Sequence, residues 1–467
     1  MSPKQTMRVQ DMTQGSPLRL ILIFAIPLLI GNIFQQIYTV VDTMVVGHNL
    51  GDPAIAAIGA TSSLYNFLIN LAIGLNSGYG IVVTQRFGAR DEKSLKQSIA
   101  GMLILNVGVT ALLTVLTLVF LRPLLRFMNT PDSIFEQTYL YIAVIGGGML
   151  ATICYNMFAA ILRAVGNSRS PLYFLIISCF LNIGLDLLLV IVFHAGVAGA
   201  AAATVAAQAI SAALCGGYVW KHYRAILPGR EEFRLPRELV SELMSTGFAM
   251  ALMYCVVDVG SMIFQRANNA LGDFFITAHT AGRRIVTITM QPISAITTAN
   301  STFVGQNFGA RKLERIRTTL KQVIGVQVSW GICICAVVIL LGAPLVRITT
   351  GTSDPELIRN AVLSIRLHLS CYPALAILLC LRTSMQAMGH KVAPILSSCV
   401  ELAMKVFSAL WLIPHLGFLG TCLTEPVTWV LMMAFLVAAY LIHREELFTP
   451  PPEPTLVFPR TSEEGKT

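Results

Sequence analysis

Apolar residues in this chain come in long unbroken runs separated by short polar connections. A helix rises 1.5 Å per residue, so about 20 apolar residues cross roughly 30 Å of hydrocarbon. Twelve such runs can be drawn. They cover Leu18–Val46, Ala54–Val83, Ile99–Leu121, Ile134–Leu162, Leu172–Phe193, Ala200–Trp220, Leu243–Arg266, Thr277–Val304, Val323–Ala343, Leu357–Leu381, Ile395–Pro414 and Leu419–Ile442. The expectation is an all-α polytopic membrane protein of twelve transmembrane helices. Composition agrees: of 467 residues, 55% are hydrophobic and 12% charged, against about a quarter charged in soluble proteins.

The net charge of +9 does not mark a nucleic-acid binder, because the basic residues form no single face. They cluster after the even-numbered spans, as in Arg86, Arg90, Lys93 and Lys96, in Lys221 to Arg237, and in Arg311 to Lys321. The odd-numbered connections are nearly free of base, with Arg122, Arg126 and Arg347 as exceptions. By the positive-inside rule both termini, carrying Lys4, Arg8, Arg444 and Arg460, are expected in the cytoplasm. Multi-pass insertion in the cytoplasmic (inner) membrane follows, with no cleavable signal peptide. The ten cysteines lie in or beside apolar runs and match no metal spacing, so they read as small packing residues. The Pro-rich tail from Thr449 is expected to be disordered.

An internal repeat is the strongest signal. Gln85-x-Phe87-Gly88-Ala89-Arg90 recurs as Gln306-x-Phe308-Gly309-Ala310-Arg311, an offset of 221 residues. The same offset relates Leu50-Gly51-Asp52 to Leu271-Gly272-Asp273 and His194-x-Gly196-x-x-Gly199 to His415-x-Gly417-x-x-Gly420. A slightly larger one relates Ala164-x-Gly166 to Ala387-x-Gly389. The chain therefore reads as an N-terminal segment 1–17, a six-span lobe 18–220, a linker 221–241, a second lobe 242–442 and a tail 443–467. Six is even, so the two copies enter the membrane in the same sense and the repeat is parallel. Two like lobes about a central cleft suit a secondary transporter.

No phosphate-binding loop and no clustered His or Cys ligand set occurs, so an enzyme or an ATP-driven pump is not expected and no cofactor is called for. Energy would come from an ion gradient or from none. In-span ionisable residues are costly, at about 2.5 kcal/mol or more for Asp on insertion scales. In the first lobe they are Asp42 and Asp186. Asp42 has two readings: a cap at the outer helix end, or a carboxylate needing a proton, a cation or a partner. Asn182 and Asp186 share one face at i, i+4, as do Tyr38 and Asp42. Helix rise puts Asp186 roughly 12 Å and Asp42 about 8 Å below the same surface, so the two acids can meet. Two carboxylates in one buried site do not both ionise easily, which is what proton or sodium coupling requires. A purely structural acid pair is the alternative. Further polar candidates are Asn32, Gln35, Asn66, Asn70 and Thr204, each of which has helix–helix hydrogen bonding as its plainer role.

The second lobe does not copy this arrangement: Ile263 stands where Asp42 was and Lys405 where Asn182 was. It carries Asp258 instead, with Glu401 and Lys405 spaced to neutralise one another. Arg283 and Arg284 fall inside the eighth span, lining a wet cavity, paired with Asp258, or marking misplaced span limits. Pro27 and Pro292 lie within spans one and eight, where a bend would serve alternate access.

The sequence resembles the multidrug and toxic compound extrusion (MATE) family, drug/cation antiporters of the polysaccharide-flippase superfamily. The resemblance covers Leu18 to about Ile442. It rests on Pro27, Tyr38-x-x-x-Asp42-x-x-x-Val46-Gly47, the two Gln-x-Phe-Gly-Ala-Arg copies, Arg163-Ala164-x-Gly166-Asn167 and Asn182-x-x-x-Asp186. It implies export of cationic or amphipathic organic compounds against inflow of H⁺ or Na⁺, by a monomer in the lipid bilayer. It also implies a cation site of Asp42, Asn182, Asp186, Tyr38 and Thr204, with Na⁺, if that is the ion, held at Asp42, Asn182 and Asp186. Asn32, Gln35, Asn66, Asn70, Asp258 and Arg283 are then candidate substrate contacts. A lipid-linked glycan flippase of the same superfamily is the alternative, favoured by Arg283, Arg284 and Lys405.

Overall fold

The computed structural model describes residues 10–127 and 130–449. Lys4, Arg8, Arg460 and the tail from Pro450 lie outside them, and with them the expectations placed there. Among the described residues all regular structure is helical. The first lobe comprises α1 (Pro17–Leu50), α2 (Asp52–Gly88), α3 (Glu92–Phe127), α4 (Asp132–Gly147), α5 (Met149–Ala164), α6 (Arg169–Asp186) and α7 (Gly196–His222). The second comprises α8 (Arg237–Asn269), α9 (Asp273–Gly309), α10 (Leu313–Thr350), α11 (Pro355–Ser370), α12 (Tyr372–Ala387), α13 (Val392–Phe407), α14 (Ile413–Leu416) and α15 (Phe418–Ile442). Taking α4–α5, α11–α12 and α13–α14 as single rods gives the twelve expected spans.

Eleven of these rods are long and apolar enough to cross a membrane when each bent pair counts once. The remaining one, α9, is equally long at 37 residues. It carries Arg283 and Arg284, so its polar face dilutes the apolar window. The helix breaks differ from expectation. α1 and α9 run on through Pro27 and Pro292, and the sharp bends fall elsewhere, 46° between α4 and α5 and 47° between α11 and α12. At the first bend sits Gly148, where a Cβ would strike Val205. At the second, Pro373 removes a backbone donor just after Cys371. Gly148 and Cys371 obey the same larger offset as Ala164 and Ala387. Wide π-helical turns at Leu187–Val192 and Ser408–Leu412 are likewise related by the repeat. The duplication is thus visible in the backbone irregularities as well as in the sequence.

The lobes join at the end that carries the basic connections. Without a hydrophobic drive between helices in lipid, small residues allow close backbone approach. A Cβ on Gly74 would lie 2.6 Å from the Ala251 Cα, and one on Gly78 2.6 Å from the Gly247 Cα, so α2 and α8 pack backbone to backbone. The repeated motif closes this end with local two-fold symmetry. Gly88 lies against the Gln306 carbonyl and Gly309 against the Gln85 carbonyl, with no room for a Cβ at either. Gln85 Nε2 donates to the Ala387 carbonyl at 2.8 Å, and Gln306 Nε2 donates to the Ala164 carbonyl at 2.9 Å. The segment before α1 seals the joint: Met12 N–H donates to Gln306 Oε1 at 3.0 Å, and Lys312 Nζ donates to the Thr13 carbonyl at 2.8 Å.

α1 belongs to both lobes. Ile21, Phe24 and Ala25 are buried in the apolar core of the second lobe with Ile293, Phe303 and Leu375, whereas Val46 is buried with Tyr141, Ile142 and Val197 of the first. A change of packing in the outer half of α1 therefore acts on a helix anchored in the opposite lobe. Replacing Gly88 or Gly309 by Ala should cost about 1–3 kcal/mol through overpacking and lower the melting temperature of the purified protein. Gly108→Ala and Gly217→Ala, where a Cβ meets nothing within 4 Å, should leave it unchanged. Equal melting of all four variants would contradict this account of the closed end.

Candidate functional site

Three helices of the first lobe bring together five of the residues singled out from sequence. α1 supplies Tyr38 and Asp42, one turn apart. α6 supplies Asn182 and, as its last α-helical residue, Asp186, immediately before the π turn. α7 supplies Thr204, whose hydroxyl donates back to the Ala200 carbonyl at 3.2 Å. The Tyr38 hydroxyl reaches Thr204. With its amide oriented to satisfy both neighbours, Asn182 donates to Asp186 Oδ2 at 2.7 Å and accepts from the Thr204 backbone N–H at 3.1 Å. Asp186 is fully buried and Asn182 is 2% exposed.

The carboxyl groups of Asp42 and Asp186 lie close enough to act directly on each other. Two carboxylates set against each other in a buried site do not both ionise easily. Each acid also keeps a buried oxygen, Oδ1, with no donor from the protein. Leaving buried anionic oxygens bare costs several kcal/mol. The arrangement therefore calls for a small positive species that the chain itself does not provide. A helix-end cap, the simpler reading of Asp42, does not describe a residue facing a fully buried acid on another helix.

Two residues of this site escaped sequence reasoning. Tyr65 on α2 and Tyr141 on α4 pack with ring centroids 6.5 Å apart and face the acid pair. A tyrosine in an apolar run looks like any core aromatic, and only the fold brings these two to the carboxyls.

Beside the acids lies a cavity of about 190 Å³ lined by Asn32, Gln35, Tyr65, Asn156, Thr204 and Gln208, among others. A second space of about 350 Å³ lies between the lobes, with Asn32, Gln35, Asn156, Tyr254, Ser294 and Thr302 in its wall. Asn32 and Gln35 line both, so they stand where the first-lobe cavity opens into the cleft. Arg163, part of the Arg163-Ala164-x-Gly166-Asn167 motif, also lines both spaces from the end of α5.

The other tentative contacts are placed differently. Asn66 is exposed and in neither lining. Asn70 and Asp258 are committed to each other across the lobes, with Nδ2 to Oδ2 and Oδ1 at 2.9 and 3.2 Å. Arg283 is bound to neither the cleft nor Asp258. Its Nη1 donates to Glu425 Oε1 at 2.5 Å, since α15 packs within the same lobe while Asp258 faces α2. Glu425 was overlooked as an in-span acid, although it is the only one in the twelfth span and stands 221 residues after Thr204. Lys405 is buried and donates to Glu401 Oε1 at 2.8 Å and Ser261 Oγ at 2.9 Å, the neutralised pair expected from their spacing. Among the described residues no group of three or more His, Cys, Asp or Glu is disposed to hold a metal ion.

The MatE family model matches the chain twice, over residues 27–188 and 249–410, one match in each half of the repeat. A probable multidrug resistance protein YpnP of Bacillus subtilis is 30% identical over 66% of this chain and 69% of its own length. A probable multidrug resistance protein NorM of Thermotoga maritima is 23% identical over 81% of this chain and 82% of its own. Among solved structures, a multidrug resistance MATE family transporter of the MOP superfamily, in an outward-facing conformation, superposes with a TM-score of 0.85. It is 21% identical and covers 95% of this chain and 99% of the other. Two matched six-rod lobes and two family matches make this chain a member of the MATE family, membrane transporters and not enzymes.

Proposed function

We propose that the protein is a multidrug antiporter that exports organic cations or amphipathic compounds in exchange for protons, with Asp42 and Asp186 as the coupling pair. The observation that carries this reading is the apposition of Asp42 and Asp186 across α1 and α6, each with a buried oxygen lacking a donor. Such a pair is neutralised by a proton, or by Na⁺ completed with the Asn182 amide oxygen and the Thr204 hydroxyl. We favour H⁺, because among the described residues no third His, Cys, Asp or Glu joins the pair to hold a metal ion.

The basic end is the cytoplasmic one on the positive-inside rule. The joined end then faces the cytoplasm and the cleft opens outward. Substrate meets Asn32, Gln35, Asn156 and Tyr254 in the cleft, beside the acids. Loss of the proton leaves a negative charge that attracts a cation to the first-lobe cavity, and its return expels the cation, because both compete for the same charge. α1, with one half in each lobe, relays the change. The relatives named as multidrug resistance proteins support drug-like cargo over a lipid-linked glycan. So does the pairing of Arg283 and Lys405 with acids, which leaves fewer free cations for a pyrophosphate.

In inverted vesicles an imposed pH gradient should drive ethidium transport, and a sodium gradient at equal pH should not. Transport driven by sodium alone would reassign the ion. Asp42→Asn and Asp186→Asn should each reduce gradient-dependent ethidium movement at least about tenfold, the order of effect of one lost charged contact. Asn66→Ala should be near wild type. Undiminished transport in both acid variants would contradict the proposed coupling.

A further inference from the structure

We propose that Arg163 is an anion subsite at the floor of the cleft, where it takes the carboxylate of an amphipathic cargo molecule. Arg163 stands half-buried in the last turn of α5 and lines both the first-lobe cavity and the space between the lobes. Among the described residues it is the only charged one in either lining. Among them, too, its guanidinium has no acid partner and no hydrogen bond to the chain. The groups close enough to act on it are the Tyr155 and Tyr254 phenols and the Cys215 thiol. A guanidinium does not give up its charge, and it offers five donors in a planar fork that matches a carboxylate. Holding one unpaired inside a membrane bundle is costly and marks a place for a partner. Two other in-span arginines already have theirs: Arg283 is bound to Glu425 and Arg382 to the Ser398 hydroxyl.

The repeat shows that the fold does not require this charge. The offset that relates Ala164 to Ala387 places Gln386 where Arg163 stands. Gln386 lines the same inter-lobe space from the second lobe, and it is neutral. One copy of the scaffold thus builds this corner with an amide and the other with a cation. A purely architectural role for the position is met by either side chain, whereas only Arg163 can hold an anion.

The rest of the wall has no sign of its own. Asn32, Gln35, Asn156, Tyr254, Ser294 and Ser301 present amides and hydroxyls, which donate and accept alike. Asp42 and Asp186 are in neither lining. Arg163 therefore sets the polarity of the cleft, and low-dielectric walls strengthen its field. It sits beside the closed end, where the neighbouring Ala164 carbonyl accepts from Gln306. The acid pair lies at another depth. The 18 residues of α6 rise about 25 Å from the connection after Arg163 to Asp186. The first lobe is thus positive at the floor and acidic towards its outer face. A molecule that carries a carboxylate as well as a basic group lies with the carboxylate inward, on Arg163, and the basic group towards the acids. This adds carboxylate-bearing amphipaths to the cations of the transport reading above, and rests on that reading for the premise that the cleft holds cargo.

Tetramethylrhodamine and its methyl ester provide the test, because they share one cationic ring system and differ by the carboxylate. Their affinities for the purified protein are measured by fluorescence polarisation at about pH 7.5, where a carboxyl group is ionised. The unsubstituted protein should bind the free acid about tenfold more tightly than the ester, the order of one charge-assisted hydrogen bond. Arg163→Gln, which copies the repeat partner, should abolish that preference by weakening the acid alone. Arg163→Lys keeps the charge without the fork and should retain only part of the preference. Equal affinities in the unsubstituted protein overturn the proposal, as does an unchanged ratio in Arg163→Gln. So does an equal loss of both dyes, which would mean that Arg163 only holds α5 in place. Should Arg163→Gln not fold, Arg163→Lys decides, and an undiminished ratio there overturns the proposal. Asp42→Asn/Asp186→Asn protein should keep the preference for the acid. Failure of the coupling pair to affect transport would leave this binding result intact, so the two readings fail separately.

Discussion

Everything distinctive about the first lobe follows from two carboxyl groups set against each other where water is scarce. Separately, each acid would be an expense of several kcal/mol in an apolar helix bundle. Together they cannot both be ionised without worse cost, and they cannot bond to one another without a proton. Asn182, Thr204 and Tyr38 hold the pair in place without neutralising it. That incompleteness is what a coupling site needs, since a fully satisfied network would have no reason to exchange anything.

The same chain carries a second solution in its other lobe. Where the first lobe has Asn182, the second has Lys405, a cation paired with Glu401 and bonded to the Ser261 hydroxyl. Where the first has Thr204, the second has Glu425, held by Arg283. Fixed, paired charges stand there where we propose an exchangeable one in the first lobe. The duplication therefore supplies a shared scaffold, seen in the matched π turns and bends, on which the two halves have acquired different electrostatics. The clasp built from the repeated Gln-x-Phe-Gly-Ala-Arg motif remains symmetric, because it joins the two copies and each needs the other's glycine and carbonyl.

Much of this was legible in the sequence. Run length disclosed the twelve rods, the 221-residue offset disclosed the lobes, and i, i+4 spacing put Tyr38 with Asp42 and Asn182 with Asp186. Depth along two helices sufficed to bring the acids together. What stayed hidden depended on helices that are distant in sequence. Tyr65 and Tyr141 look like core aromatics until α2 packs against α4. Arg283 could not be matched to Glu425 because their pairing spans 142 residues. Pro27 and Pro292 advertised bends that the helices do not break at, since surrounding packing can hold a proline within a continuous rod. The breaks came at Gly148 and Cys371, which carry weaker signals alone and become readable only as repeat partners.

The central claim is that cation and proton exclude one another at Asp42 and Asp186. It is tested most directly by counting protons released when ethidium binds to the purified protein in weakly buffered solution. The account predicts release of about one proton per ethidium bound, as expected for one shared proton between two acids, and none when Asp42 and Asp186 are both replaced by Asn. Equal release with and without the two acids would contradict it.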